Sequence, residues 1–461
     1  MTLDSEQIMV RGLQMKAKQI AELLAVDYIG EDVDIRGIST DTRRIADGQL
    51  FVALKGPNFD GHDFVKQAAE TGAAACLVER PVEGLNCIVV NDTRLALGEL
   101  AAQWRQRLNV RVIGITGSNG KTTVKEMLAG ILSGQGEVLA TRGNLNNDIG
   151  MPLTLLELDE QHSYAVIEMG ANHPGEIGYL TRIAQPDVAL ITNAGMAHLE
   201  GFGSVEGVAH AKGEIYQGLG DDGIAIVNNE DAYADYWKQL NQQRRIISFG
   251  TGSGSDVRAD LKIEKDGQSM AIVTPAGNIN VTLKLLGKHN AMNALAAIAA
   301  AVAVNVPLTA IKAGLESLSP VSGRLQLKGG IKGSRIIDDT YNANPTSLYA
   351  ALDVLREFPG QHYLALGDMG ELGGKAESLH SDAGREARES GVRRLYTLGS
   401  LARHAGAAFG DSAFSFSNHD EMIEQISSDL TSDVTLLVKG SRRMQMEKIV
   451  AACEAGHNGK N

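Results

Sequence analysis

The stretch from Val110 to Thr123 carries the strongest chemical signal in the chain. Val112 to Ile115 is an apolar run that predicts a buried strand. Thr116 to Gly120 is a loop of small residues, and Val124, Met127, Leu128 and Ile131 then recur at helical spacing. A strand, a glycine loop and a lysine at a helix start form a cradle for a triphosphate. Backbone N–H groups and the helix N-terminus hold phosphate oxygens. The Lys121 ammonium reaches the outer phosphates, and the Thr122 hydroxyl suits magnesium. Gly117, Ser118, Asn119, Gly120, Lys121, Thr122 and Thr123 are therefore the candidate nucleotide residues. Ile115 stands where the strict pattern has its first glycine, so the loop is a variant. A tight turn with a surface lysine uses similar residues, but the strand–loop–helix context favours the phosphate reading.

Other candidates lie at the ends of predicted strands. Glu168 closes the run Tyr164 to Ile167 and suits magnesium, although a solvated strand-end glutamate looks the same. His198 follows the run Val188 to Ile191, where the strand ends of a parallel sheet line a site. Lys212, by composition alone, reads as a solvated lysine on a helix. Asn290 and Asn293 are one turn apart and face the same way; helix capping by Asn290 accounts for one of them only. Arg324 lies just past a linker, and Asp339 lies between a strand and a helix.

These residues must be positioned by several α/β units. A chain of 461 residues holds roughly two to four domains, and short apolar runs alternate with helical stretches almost throughout. The first unit, residues 1–107, has strands at Leu50 to Leu54, Ala74 to Val78 and Cys87 to Val90, with helices His62 to Thr71 and Thr93 to Arg107. The second, 108–318, carries the phosphate loop, strands at Tyr164 to Ile167, Val188 to Ile191, Ile224 to Val227 and Ile246 to Phe249, short β runs from 256 to 286, and a helix Asn290 to Val304. Ser319 to Gly323 predicts a linker. The third, 319–461, has strands at Arg335 to Ile337, Tyr363 to Leu366, Leu395 to Leu398 and Thr435 to Val438, which predicts a doubly wound sheet. It lacks the Gly-x-Gly-x-x-Gly dinucleotide fingerprint, so no NAD site is expected.

A net charge of -13 argues against nucleic acid and anionic membrane as partners. Cys76, Cys87 and Cys453 have no metal or disulfide spacing, which suits a reducing, cytoplasmic setting. The charged N-terminus, with Asp4, Glu6 and Arg11, lacks a signal-peptide core. The alanine-rich stretch near Ala294 to Val304 is too short to span a bilayer.

In combination these blocks resemble the Mur ligases of peptidoglycan synthesis. Thr116 to Thr122 match that family's loop, Thr-Gly-x-x-Gly-Lys-Thr/Ser, which accounts for Ile115. Asp41 to Arg43, Asp60 to Phe64, Asn144 to Gly150, Glu168 to His173, Ala197 to Gly203, Tyr341 to Asn344, Gly367 to Gly373 and Val438 to Arg442 are similar to the branch that adds D-alanyl-D-alanine. The resemblance spans essentially the whole chain, in the expected order. It implies three α/β domains: a small UDP-binding domain, a central P-loop ATPase domain with a mainly parallel sheet, and a Rossmann-like C-terminal domain. It implies ATP-dependent joining of D-Ala-D-Ala to UDP-N-acetylmuramoyl-tripeptide through an acylphosphate, in a cytoplasmic monomer. The third peptide residue is meso-diaminopimelate or lysine.

The resemblance assigns Lys121 to the phosphates, Thr122 and Glu168 to one magnesium ion and His198 to a second. It also gives Lys212 a role, as a carbamate formed with carbon dioxide that becomes an oxygen ligand for the metal. Asn290 and Asn293 are expected at the adenine side, and Arg324 and Asp339 on ATP from the C-terminal domain. Ser39, Thr40, Asp41 and Arg43 are expected along the UDP group, with Asn146 and Asn147 also binding substrate. A switch NTPase would need the loop but not His198 or Lys212, and ATP turnover that depends on an amine separates the two. Any ATP turnover excludes a non-catalytic binding protein of the same fold. A folylpolyglutamate-synthetase-like ligase is disfavoured by the first domain.

Overall fold

The computed structural model describes residues 12–264, 267–319 and 321–456. Asp4, Glu6 and Arg11, and Pro320 of the linker, lie outside the described residues.

The sheet that carries the phosphate loop has nine strands among the described residues. Arg111–Thr116 sits between Val188–Ile191 and His162–Glu168, parallel to both. Glu137–Ala140 lies beyond His162–Glu168, while Ile224–Asn228, Arg245–Gly250 and Val257–Glu264 continue the other side in parallel. This order places Gly117, Glu168 and the 192–198 loop at the same end of three adjacent strands. Strands covered on both faces read as continuous apolar runs. Here Val112, Ala165, Ile167 and Ile191 pack to one side, and Ile113, Ile115, Val166 and Leu190 to the other. Lys121–Leu132 and the alanine-rich helix Lys288–Ala303 cover the second side. The β runs expected between 256 and 286 form an antiparallel extension: Val257–Glu264, Gly267–Thr274 and Gly277–Leu283.

The N-terminal unit shares its core with the first side of this sheet. Leu13, Ile20 and Leu77 belong to the same apolar cluster as Leu155, Ile177 and Trp237. Its sheet runs Asp27–Ile29, Cys87–Val89, Ala75–Val78, Leu50–Val52, Ile38–Ser39, parallel except at Asp27–Ile29.

The C-terminal sheet runs Gln326–Gly329, Arg335–Asp339, Val434–Lys439, Gln361–Gly367, Val392–Leu398, Ala413–Phe416. Only Gln326–Gly329 is antiparallel. Helices pack on both faces, the doubly wound arrangement expected. Asn344 caps the helix Pro345–Arg356 by accepting from the Ser347 N–H at 2.9 Å, with Pro345 in its first turn.

Candidate active site

The phosphate loop closes on glycines at which any side chain would be strained. Gly117 has φ 149°, and a Cβ there would meet Thr192 Oγ1 at 1.9 Å. Gly120 has φ 85°, and a Cβ would meet Asn293 Oδ1 at 2.3 Å. Lys121 opens the helix Lys121–Leu132 and folds its ammonium back onto the Gly117 carbonyl at 2.6 Å. Desolvation holds this ammonium below the ordinary lysine range, partly offset by the Glu168 charge. The loop is braced from the neighbouring strand end. Thr192 donates to the Asn119 carbonyl at 2.6 Å, and Ser118 Oγ accepts from the Gly195 N–H at 2.9 Å.

Glu168 is buried rather than solvated, 3% exposed. It accepts from Thr122 Oγ1 at 3.0 Å and from Asn146 Nδ2 at 2.9 Å. Its own N–H donates to Thr141 Oγ1 at 2.9 Å. The carboxylate is thus fixed beside the helix start. His198 has φ 54° and begins the short helix Leu199–Phe202. Its Nδ1 lies 2.6 Å from Glu371 of the C-terminal unit, and that histidine holds the Glu371 carboxyl below the ordinary range.

Lys212 is not a surface lysine. It lies in the helix Val205–Gly213, 1% exposed, with Nζ 5.7 Å from the Phe202 ring centre. Burial, then the Lys121 charge, pulls its pKa down to about 7. Asn290 is not a cap either. The helix starts at Lys288 with Gly287 before it, so Asn290 lies inside. Its Nδ2 donates to the Leu286 carbonyl at 2.8 Å, and its Oδ1 accepts from Asn293 Nδ2 at 3.2 Å. Both asparagines are buried, and Asn293 lies against Gly120 of the phosphate loop.

The C-terminal unit closes over this end of the sheet. Arg324 donates from Nη2 to Thr122 Oγ1 at 3.3 Å and stacks on Tyr341, 4.0 Å from the ring centre. Asn344 Nδ2 donates to Asn119 Oδ1 at 2.9 Å, and the Met196 N–H donates to Thr346 Oγ1 at 3.1 Å. Asp339 accepts from the Leu325 N–H at 3.3 Å and pairs with Lys439. A crevice of about 1350 Å³ results, bordered by the phosphate loop, Glu168, His198, Asn290, Asn293, Arg324 and Asp339. Asn119 Nδ2 and Arg324 Nε are buried along it with no hydrogen-bond partner among the described residues. Such donors are expensive to leave unpaired and point to a ligand.

Asn146 and Asn147 also border the crevice. Asn147 is tied down locally, accepting from the Gly150 N–H at 2.8 Å. Ser39, Thr40, Asp41 and Arg43 are not among the bordering residues; the N-terminal unit contributes Asp92, Arg94 and Leu95. Asp41 and Arg43 form a two-pronged pair at 2.8 and 2.9 Å, which holds the Asp41 carboxyl down at about 2. Asn344 belongs to the polar block between a strand and a helix, while Glu371 and Lys439 escaped the reading of individual residues. Lys439 ends an apolar run as Glu168 does, so the same strand-end signal could have found it. Among the described residues, no three His, Cys, Asp or Glu side chains gather into a metal cage, and no helix is long and apolar enough to cross a membrane.

Fold and crevice together define a P-loop enzyme whose nucleotide end is closed by a second α/β unit. Residues 34–105 match the model for the Mur ligase family, catalytic domain; 115–301 match the Mur ligase middle domain; and 323–442 match the Mur ligase, glutamate ligase domain. The UDP-N-acetylmuramoyl-tripeptide–D-alanyl-D-alanine ligase of Escherichia coli is 43% identical over 96% of this chain and 99% of its own. The corresponding ligase of Bacillus subtilis is 38% identical over 95% of this chain and 98% of its own. The chain belongs to the Mur ligase family. A crystal structure of MurF from Acinetobacter baumannii superposes with a TM-score of 0.91 at 39% identity, covering 96% of this chain and 99% of that one. MurF from Thermotoga maritima, solved in complex with ADP, gives 0.81 at 28% identity, covering 90% and 96%.

Proposed function

We propose that this chain is an ADP-forming ligase that joins D-Ala-D-Ala to UDP-N-acetylmuramoyl-tripeptide at the expense of ATP, in cytoplasmic peptidoglycan precursor synthesis. The observation that carries the reading is the meeting at Thr122. Glu168 from the central sheet and Arg324 from the C-terminal unit converge on one hydroxyl at the mouth of a phosphate loop. The high identity to ligases of that name, over nearly the whole chain, supports the substrates.

A carboxylate is a poor acyl donor, so the tripeptide carboxylate attacks the γ-phosphorus of ATP and ADP leaves. The amine of D-Ala-D-Ala then attacks the acylphosphate carbonyl, an amide forms and phosphate departs with the amine's proton left to solvent or base. Both steps bring anions together, so fixed cations count for more than bond-making residues. Lys121 and Arg324 supply them. The first swings from the Gly117 carbonyl to the outer phosphates, and the second brings Nε, which has no partner among the described residues, within reach. Asn290 and Asn293 support the adenine side, and Asp339 contacts the nucleotide from the C-terminal unit. Asn146 and Asn147 face the peptide substrate, and Ser39, Thr40, Asp41 and Arg43 the UDP group.

Magnesium fits the donor set. Thr122 and Glu168 offer hard oxygens next to the phosphate loop, and an ion completed by substrate phosphates needs few protein ligands. When bound, it neutralises phosphate charge. His198 would serve a second ion. Lys212 does not itself border the crevice; in this reading it joins the set as a carbamate, and burial favours the neutral amine that reacts with carbon dioxide. The enzyme acts as a monomer in this reading.

Incubation with ATP, UDP-N-acetylmuramoyl-tripeptide and D-Ala-D-Ala, read by product mass, tests it. The pentapeptide nucleotide should form, with ADP release dependent on both other substrates. Rapid ATP hydrolysis with neither present would mark a switch NTPase instead.

A further inference from the structure

Lys439 ends the strand Val434–Lys439 and is the register partner of Asp339, which ends Arg335–Asp339. Its side chain is 2% exposed, and that of Asp339 11%. The ammonium pairs with Asp339 Oδ2 and donates to the Asn342 carbonyl at 3.0 Å. The other Asp339 oxygen accepts from the Leu325 N–H at 3.3 Å, next to Arg324. One carboxylate is therefore gripped from a neighbouring strand end and from the segment beyond the linker. Two apolar side chains would hold these strand ends together at least as well, because a buried ion pair is a weak source of stability. What the pair adds is direction: it fixes the rotamer of a carboxylate that borders the nucleotide crevice.

We propose that Lys439 is a positioning residue for ATP, acting through Asp339. This rests on the nucleotide reading of the crevice. The Asn342 carbonyl fixes where the ammonium sits, and the ammonium fixes where the carboxylate points. Lys439 borders the crevice too, and its loss lets Asp339 swing, so the nucleotide loses an aligned contact although Asp339 itself remains.

The test is a steady-state comparison of Lys439→Met, Lys439→Arg, Asp339→Asn and the double variant Asp339→Asn/Lys439→Met, with folding checked by circular dichroism. Lys439→Met should raise KM for ATP by about tenfold or more, the scale of a misaligned contact, with KM for the nucleotide-peptide and the dipeptide unchanged. Lys439→Arg, which keeps the charge, should lie between wild type and Lys439→Met. In the Asp339→Asn background, Lys439→Met should add no further rise. Wild-type KM for ATP in a folded Lys439→Met, beside a raised value in Asp339→Asn, would overturn the proposal while sparing the nucleotide reading. Wild-type KM for ATP in Asp339→Asn would overturn the nucleotide reading of that residue itself. Should Lys439→Met alone not fold, the double variant, which removes both buried charges, decides: a KM for ATP above that of Asp339→Asn overturns the proposal, and an equal value supports it.

Discussion

Arg324 donates to the Thr122 hydroxyl at 3.3 Å across the boundary between two α/β units, and Thr122 in turn donates to Glu168 at 3.0 Å. One short side chain thus links the central sheet to the unit that closes over it. Asn344 on Asn119, Thr346 on Met196 and Glu371 on His198 repeat the link around the crevice. The arrangement is a closed one, with the phosphate loop as its seat.

Closure should depend on ligand, since each of these contacts is a single hydrogen bond or a half-buried histidine–carboxylate contact, and the two units are joined along the chain only through the linker before Arg324, as hinged units are. Small-angle scattering should show compaction when an ATP analogue and the nucleotide-peptide are added. Arg324→Ala should compact less and lose activity. An unchanged radius in the wild type, with Arg324→Ala fully active, would refute closure.

Lys121→Ala should abolish ligation and leave the fold intact. The ammonium rests on the Gly117 carbonyl and supports no apolar core. Losing a charge-assisted contact to a transferring phosphoryl group costs about 3 kcal/mol or more, at least a hundredfold in rate. Product mass and a thermal melt check both halves; near-normal turnover would remove the phosphate-loop assignment.

Lys212→Ala should be nearly inactive, and a short carboxylate such as acetate should restore part of the rate by standing in for a carbamate. Lys212→Arg should not substitute, because a guanidinium neither reacts with carbon dioxide nor binds a cation. Burial already draws the amine down to about 7, toward the neutral form that reacts. Wild-type turnover in Lys212→Arg would leave only a structural role for this residue.

His289 gives the protein an acid-sensitive element. Desolvation in the crevice lowers its pKa to about 4 from 6.5. Between those values the unfolded chain holds a proton that the folded protein refuses, so stability rises with pH across this window. The neutral histidine's contribution is complete above 6.5 and lost as pH falls through about 4. His289→Gln should therefore show a flatter dependence of denaturant midpoint on pH between those limits. A slope equal to wild type would mean that His289 titrates normally in the folded state.

Local spacing was enough to locate the phosphate loop, because strand, glycines and amphipathic helix are consecutive in the chain. The long apolar strands were equally legible, since a parallel sheet covered on both faces demands unbroken apolar runs. Glu137–Ala140, Gln326–Gly329 and Ala413–Phe416 escaped notice. They are short strands beside or at the sheet edges, where mixed polarity is tolerated and periodicity carries little signal.

The roles of single polar residues were decided by packing. Lys212 reads as a surface residue because helical spacing says nothing of what covers it, and its burial under Phe202 exists only once the helices assemble. Capping stayed open for Asn290 because the helix start is set by Gly287, whose φ of 84° is invisible in its name. Lys439 and Asp339 are a hundred residues apart, and only the register of two parallel strands makes them neighbours. Sequence by itself determined which chemistry the chain can do, since that depends on residue types a few positions apart. Tertiary structure decided which buried charges face one another, since desolvation and pairing depend on distances that the chain sets only by folding.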